Sequence, residues 1–211
     1  MSVQAEDGRD LTAPARPGPA DRVARWTTEL FAPQVLVIAM PPVVGLIAEG
    51  WAGASWGLLA SALCGGIPAA VIAVGVRLGR LDSRHLVDRA KRTKPLLAAV
   101  VSVVLALVLL VVLGAPDLLV ATVTGMLAAL AVAVPVTLWW KISFHAAVAA
   151  GTAVVFAHVL PPAPTAAVAA ALLVLICWAR VRLTHHTPAQ VLAGLAVGMA
   201  TTWGSLAAFG I

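Results

Sequence analysis

Seven long apolar stretches, separated by short connections, constrain the fold of this chain more than any other sequence feature. Of its 211 residues, 61% are hydrophobic and 11% are charged, which is too much apolar surface for a soluble domain of this size to bury. A helix needs about 20 residues to cross the hydrocarbon core of a bilayer, where unpaired backbone groups exclude irregular structure. The stretches cover residues 31–49, 55–75, 95–113, 118–140, 142–160, 164–179 and 188–209. The sequence therefore predicts an all-α, polytopic membrane helical bundle with six to seven transmembrane helices.

The connections between these stretches indicate one domain preceded by a tail. Residues 1–30 are polar and rich in Pro, Gly, Arg and Asp, and we expect them to be a mobile tail. Residues 31–211 are expected to form a single transmembrane domain. The two cysteines, Cys64 and Cys177, lie in apolar stretches and offer neither a disulfide framework nor a zinc site.

The basic residues indicate the orientation of the chain. If all seven stretches cross, the tail and residues 77–94, 141–145 and 180–187 share one face, and these four regions hold all 14 Lys and Arg residues. The positive-inside rule then predicts a multi-pass protein of the cell membrane with its basic face in the cytoplasm. The net charge of +5 fits this topology or an anionic lipid head group better than nucleic acid.

The last connection on the basic face carries the strongest candidate site. Thr187, Pro188 and Gln190 have the pattern of a capping box, which predicts the start of the last helix. The amide end of a helix favours a bound anion. Arg180 ends the preceding stretch and can fork onto phosphate oxygens. His186 directly precedes the cap, where its ring could attack a phosphorus bound at that helix end.

A second connection brings further polar residues to the same face. Ser143 is placed to cap the helix that follows it, which puts His145 in the first turn of that helix. Lys141 follows two tryptophans, so it suits an interfacial anchor as well as a phosphate contact. A lone histidine at such a position is more often interfacial than catalytic, and the case for His145 depends on the other residues of this face.

The connection before the third apolar stretch is strongly basic. Arg89, Arg92 and Lys94 are candidate phosphate ligands, although a solvated loop facing anionic lipid is the simpler interpretation. Near this face, outside the tail, the carboxylates are Asp82 and Asp88. A metal-dependent prenyltransferase would need paired aspartate motifs to hold magnesium diphosphate, so that class is disfavoured and no cofactor is expected.

These three segments, in this order, resemble the motifs of the type 2 phosphatidic acid phosphatase (PAP2) superfamily, which read K-x6-R-P, P-S-G-H and S-R-x5-H-x3-D. The resemblance covers residues 84–198. The third motif is the most specific: Ala179 and Arg180 are followed by five residues, His186, three residues and Gln190.

The other two motifs are matched less completely. The second motif retains its serine and histidine as Ser143 and His145. In the first motif, Lys94 and Pro95 stand for R-P, and Val87 occupies the position of the leading lysine.

The resemblance implies a PAP2-like core and a phosphatase mechanism without metal. His186 would be the nucleophile that forms a phosphohistidine, and His145 would protonate the leaving oxygen before water releases phosphate. Gln190 would orient His186 in place of the family aspartate. The residues expected to hold the phosphoryl oxygens are Arg180, Lys94, Arg89, Arg92, Ser143 and Lys141.

Two departures from the family pattern leave alternatives open. Ala179 replaces a serine, and Gln190 replaces the aspartate whose charge would stabilise an imidazolium. Full activity, slow hydrolysis, a different phosphoryl acceptor and an inactive relative are all compatible with these changes. The expected substrate is a lipid monophosphate or diphosphate with either a prenyl or polyprenyl chain or a phosphatidate-type body.

Two other function classes remain. A membrane enzyme that ionises a prenyl diphosphate, in the manner of a terpene cyclase, would use the same pocket without a phosphohistidine. A non-enzymatic membrane scaffold or transporter would need neither histidine for any phosphate release. The lipid and the oligomeric state stay open from the sequence.

Overall fold

The structure, a computed structural model, describes residues 18–79 and 93–211, with the side chains of Thr93 and Lys94 outside the description. Within these ranges the chain is helical apart from short connections and has no strand. The all-α prediction is therefore confirmed. The helices are α1 (Pro19–Leu30), α2 (Pro33–Ser61), α3 (Ile67–Arg77), α4 (Thr93–Val112), α5 (Asp117–Trp139), α6 (Phe144–Val159), α7 (Pro162–Arg182) and α8 (Pro188–Ala208), with a π-helical turn at Ala62–Gly66 between α2 and α3.

Five helical segments of the described chain are long and apolar enough to cross a membrane. The α6 helix is apolar but shorter, with 16 residues. Such segments satisfy their own backbone hydrogen bonds, which is the requirement for crossing lipid. The five segments are Pro33–Arg77, Pro95–Val112, Asp117–Trp139, Pro162–Arg182 and Pro188–Ala208. These are the properties of a membrane protein, as the apolar stretches predicted.

The longest of these segments folds back on itself at Glu49 and Gly50. Both residues have non-helical backbone angles, and Gly50 has a φ of 65°, which glycine adopts without strain. The two arms then pack closely: a Cβ added at Gly57 would collide with the backbone of Pro41. The Ser61 hydroxyl donates to the Ile38 carbonyl oxygen over 2.6 Å. The first two apolar stretches are thus antiparallel, with the turn where the first stretch meets its short connection to the second.

The N-terminal segment differs from the expected mobile tail over its last part. Pro19–Leu30 form α1, which packs on α7 and buries Ala24, Thr27 and Thr28. Trp26 is 76% exposed on the other side of the helix. The helix is amphipathic, but its large apolar residues lie on the exposed side, where Val23 and Leu30 are 50% and 62% exposed. The side against α7 consists of small residues, which allow the two helices to approach closely. Residues 1–17 lie outside the described residues.

Close packing of α6 against α8 sets the position of the candidate site. A Cβ added at Gly194 would lie 2.5 Å from the Ser143 carbonyl oxygen, and one at Gly198 would collide with the backbone of Ala147. The Ser143 amide also donates to the Gln190 carbonyl oxygen over 3.2 Å. Because small residues let the two backbones touch, α6 and α8 begin side by side at the same end of the bundle.

Candidate functional site

The start of α6 is capped as the sequence predicted. The Ser143 hydroxyl accepts a hydrogen bond from the Ala146 amide over 3.4 Å, which satisfies one of the unpaired donors of the first turn. This cap fixes the entry of the chain into α6 and places His145 in the first turn. Ser143 and His145 are both buried.

The start of α8 has the predicted capping box. The Thr187 hydroxyl accepts from the Gln190 amide over 3.4 Å, and the Gln190 side-chain oxygen accepts from the Thr187 amide over 3.2 Å. Pro188 occupies the first turn, where its missing N–H costs nothing. The helix therefore begins immediately after His186, with its amide end beside that ring.

A tight turn links Arg180 to His186. After α7 ends, the Arg180 carbonyl oxygen accepts from the amides of His185 and His186 over 3.1 and 3.2 Å. Thr184 has a φ of 55° in this turn, a conformation that costs a β-branched residue about 1–3 kcal/mol. The backbone therefore holds Arg180 and His186 together, and the strained residue lies between them.

The ring of His186 is oriented by Gln190. Nδ1 of His186 lies 3.2 Å from Oε1 of Gln190. Because the Thr187 amide donates to the same oxygen, that atom is the amide carbonyl rather than the NH2 group. Nδ1 of His186 must then be the donor, so in the neutral ring the lone pair is on Nε2.

His145 is held by the helix that the sequence had assigned to the tail. Its Nε2 lies 3.3 Å from the Thr28 carbonyl oxygen near the end of α1. A carbonyl oxygen can only accept, so Nε2 carries the proton of this bond. The α1 helix is itself joined to α7, because Nε of Arg182 donates to Oδ1 of Asp21 over 2.9 Å. This contact lowers the pKa of Asp21 below its usual 3.8.

Three of the predicted site residues line one cavity. Arg180, His145 and His186 are 1%, 3% and 6% exposed, and all three border a cavity of about 180 Å³ that we call the deep cavity. An arginine in an apolar surrounding has a strong preference for an anionic partner. One end of the cavity is thus bordered by an arginine and two histidines, and the α8 helix begins just after His186.

The remaining predicted site residues are placed differently. Gln190 contacts His186 from the first turn of α8 but does not border the deep cavity. Ser143 caps the start of α6 and does not border the cavity either. Lys141 is half-buried in the α5–α6 connection and does not border the cavity either. For the first motif, Lys94 has only its backbone described, at the start of α4, and Pro95 after it borders the cavity.

Arg89 and Arg92 lie outside the described residues. Within the described ranges, no group of three or more His, Cys, Asp or Glu side chains is arranged to hold a metal ion.

Sequence reasoning missed Thr28 and the whole of α1. The signal was present in the helical spacing of apolar residues between Pro19 and Leu30 and in Asp21 at the first turn. Thr28 contributes a backbone carbonyl to the site, and no residue type at that position would have indicated this.

Comparison of the chain with protein-family models, with curated proteins and with solved structures finds no match.

Proposed function

We propose that this protein is an integral membrane lipid phosphatase of the PAP2 type, which hydrolyses a lipid phosphate or diphosphate through a phosphohistidine. One observation carries the proposal: Gln190 fixes the tautomer of His186 while His186, His145 and Arg180 border one cavity. A nucleophilic imidazole, a second imidazole for proton transfer and a cation for the phosphoryl oxygens are the groups this chemistry needs.

In the first step, the Nε2 lone pair of His186 attacks phosphorus, and the bond between phosphorus and the lipid oxygen breaks. The leaving oxygen takes a proton from His145 in its imidazolium form. Because Nε2 of His145 donates to Thr28, the transferred proton comes from Nδ1. The products are the lipid alcohol, or the lipid monophosphate when the substrate is a diphosphate, and an enzyme-bound phosphohistidine.

In the second step, water attacks the phosphorus of the phosphohistidine. His145, now neutral, takes a proton from the water as the bond between phosphorus and Nε2 of His186 breaks. Inorganic phosphate is released and both rings return to their starting protonation. No metal enters either step, and the proton that His145 gives to the leaving oxygen in the first step is replaced in the second step by one from water.

Charge on the phosphoryl oxygens is stabilised by preorganised donors. Arg180 supplies a guanidinium at the cavity, and the N-terminus of α8 supplies amide dipoles. Lys94, with Arg89 or Arg92, would add cations from the connection before α4, and Lys141 would act from the membrane interface. The neutral Gln190 makes the imidazolium-like state of His186 less stable than an aspartate would, so a low turnover is expected.

The proposed topology has seven crossings. Pro33–Arg77 counts as two because it folds back at Glu49 and Gly50, and α6 crosses with α4, α5, α7 and α8. The basic face and the phosphate site then lie at the cytoplasmic surface. An N-terminal tag that proteases reach only from outside the cell would contradict this orientation.

The decisive experiment measures phosphate release from a panel of prenyl phosphates, prenyl diphosphates and phosphatidate in detergent with EDTA present. Wild type is compared with His186→Ala and His145→Ala, and His158→Ala is the matched control because His158 lies in the last turn of α6. We expect the first two variants to lose activity and the control to retain it. Unchanged release by His186→Ala would refute the phosphohistidine.

Product analysis separates the proposal from a cyclase-like reaction. A phosphatase leaves the carbon skeleton of a prenyl diphosphate intact and yields the alcohol or monophosphate. A rearranged hydrocarbon, released together with inorganic diphosphate, would show that the pocket ionises its substrate and would replace this proposal.

A further inference from the structure

The deep cavity extends far beyond the polar residues at its one end. On α6, residues that border it run from His145 to Val155, which is about 15 Å at about 1.5 Å per residue. On α5, which runs in the opposite direction, they run from Ala133 to Thr122, about 17 Å. The hydrocarbon core of a bilayer is about 30 Å thick, so the cavity reaches about half of the way across it.

Tight helix packing bounds the deep cavity on one side and at its far end. A Cβ added at Gly125 would lie 3.1 Å from Cα of Thr202, and one at Gly151 would lie 2.7 Å from Oγ1 of Thr202. The Ser205 hydroxyl donates to the Ala121 carbonyl oxygen over 2.6 Å and binds α8 to α5 one turn further on. The helices α5, α6 and α8 therefore meet at Thr202, which forms one side wall of the cavity. Beyond Thr202, Met40 and Val155 border the far end of the cavity and pack with the buried Val44 in one hydrophobic cluster, which closes that end.

The wall between the polar end and the closed end is mainly apolar. Met40 from α2, Cys64 from the π-helical turn and Val103 from α4 border the cavity there, with Met126 and Ala129 from α5. The π-helical turn is held against α4, because the Ser102 hydroxyl donates to the Leu63 carbonyl oxygen over 2.5 Å. A wider helical turn at this point is consistent with space being kept open for a ligand.

A second cavity, which we call the side cavity, lies between α2, α6 and α7. It has a volume of about 420 Å³ and is bordered by Phe31, Ala153 and Ile176 among others. Thr152 borders both cavities and so lies in the wall between them. None of Arg180, His145 or His186 borders the side cavity. Of the two cavities, the deep cavity is therefore the one continuous with the phosphate site.

We infer that the deep cavity binds a single apolar chain lengthwise, with its phosphate at Arg180 and His186, and that its closed end limits the chain length. This inference rests on the proposed function for the head group and adds the class of lipid. The preferred substrate is a phosphate of one prenyl-type chain rather than a two-chain phosphatidate, because of the two cavities described here the deep cavity borders Arg180 and His186 and the side cavity does not.

Exclusion, rather than added affinity, is the basis of this selectivity. A lipid chain that leaves the bilayer for an apolar cavity gains little, because the bilayer is as apolar as the cavity wall. A chain that is too long for the cavity cannot bring its phosphate to Arg180, however, and the side cavity does not open at Arg180 or His186 to take a second chain. Chain length should therefore act through the fit of the head group at the site.

The test changes the cavity length in both directions. Ala129→Phe fills the middle of the deep cavity, and Met126→Ala enlarges its far half. Two controls match the first change: Ala131→Phe adds the same side chain on an exposed face of α5, and Ala153→Phe fills the side cavity. Each variant in detergent is first checked for a cooperative thermal transition.

Binding is measured with non-hydrolysable geranyl, farnesyl and geranylgeranyl phosphonates and with a dioleoyl phosphatidate phosphonate. Hydrolysis of the corresponding phosphates is measured in parallel. We expect Ala129→Phe to weaken binding of the longest chain at least about tenfold while the shortest is retained. Met126→Ala should shift the preference to longer chains, and both controls should keep the wild-type order.

The outcomes separate this inference from the proposed function. If chain preference follows the two cavity variants but no lipid phosphate is hydrolysed, the inference stands and the phosphatase proposal fails. If phosphate is released with the same chain preference in every variant, the phosphatase stands and the inference fails. Equal binding of the two-chain phosphonate, or a shift with Ala153→Phe as large as with Ala129→Phe, also overturns the inference. Should Ala129→Phe lack a cooperative transition, Met126→Ala decides the question.

Discussion

Nδ1 of His186 lies 3.2 Å from Oε1 of Gln190, and the same oxygen accepts from the Thr187 amide. One side chain therefore completes the capping box of α8 and sets the tautomer of the neighbouring ring. The bond to the ring is made by a neutral amide, so the orientation of His186 does not depend on a carboxylate. What a carboxylate would add is charge, and that difference can be measured.

The first prediction concerns Gln190→Glu, which keeps the side-chain length and can still complete the capping box. A hydrogen bond to an ionised acceptor is roughly twice as strong as a neutral one, and the negative charge stabilises the imidazolium-like state of His186. We expect kcat for lipid phosphate hydrolysis to rise about tenfold, since about 1.4 kcal/mol of barrier corresponds to that factor. Steady-state phosphate release at neutral pH measures the change.

Gln190→Leu tests the opposite change, the removal of the hydrogen-bond acceptor at this position. It has a similar size but no acceptor, so it removes both the ring contact and half of the cap. The lost cap costs about 1 kcal/mol of stability, and the misoriented ring should lower kcat about a hundredfold. A Gln190→Leu enzyme with wild-type kcat would show that Gln190 serves the helix cap alone.

The second prediction concerns Arg180, which is 1% exposed at the deep cavity. Arg180→Lys keeps the charge and loses the planar fork that fits two phosphoryl oxygens. Removing one preorganised donor from a reacting centre costs about a hundredfold to a thousandfold in rate, and we expect a loss of kcat/KM in that range. Arg77→Lys is the control, because Arg77 also ends a helix but is exposed and does not border the deep cavity. Equal effects of the two substitutions would argue against a phosphate role for Arg180.

Local chemistry made much of this architecture predictable. The Ser143 cap and the Thr187–Gln190 capping box depend on residues within a few positions of one another, and such signals can be read from sequence. Counting crossings predicted that His145 and His186 share one face, and the two residues border one cavity at the end of the bundle where α6 and α8 begin.

Contacts between distant segments were not predictable in the same way. The Thr28 carbonyl reaches His145 across 117 positions of sequence, and a backbone oxygen has no residue type that would reveal it. The cavity likewise depends on how closely α5, α6 and α8 approach at Thr202, which is decided by packing. The amphipathic spacing of α1 was available in the sequence, but the polar composition of residues 1–30 favoured the interpretation as a tail.

The third prediction concerns the α6–α8 contact that aligns the two histidines. In Gly198→Ala the added methyl group would collide with the Ala147 carbonyl, so the helices must move apart. Overpacking of this kind costs about 1–3 kcal/mol, and activity should fall with it because His145 and His186 are displaced. Gly204→Ala is the control, since a Cβ there meets nothing within 4 Å and alanine favours the helix. Thermal unfolding in detergent should show a lower Tm for the first variant only.

The last prediction concerns the ion pair between Asp21 and Arg182, which joins α1 to α7 and so supports the Thr28 contact with His145. The hydrogen bond from Arg182 lowers the pKa of Asp21 below 3.8. A carboxyl group whose pKa is lowered in the folded state stabilises that state at pH values above its ordinary pKa. This stabilisation is lost as the pH falls through the lowered pKa. At neutral pH the ion pair is therefore fully present in wild type.

Hydrogen exchange of the α1 amides measures how far the Asp21–Arg182 ion pair holds α1 against α7. At neutral pH, Asp21→Asn should exchange faster than wild type across Pro19–Leu30, and kcat should fall because the Thr28 carbonyl no longer holds His145 in place. As the pH falls through the lowered pKa of Asp21, wild type should approach the exchange pattern of the variant, since its carboxylate becomes protonated. Raised salt should act in the same direction at neutral pH, because the pair is partly exposed and is screened. Identical α1 exchange in the two proteins at neutral pH would mean that the buried side of α1, rather than Asp21, holds the helix against α7.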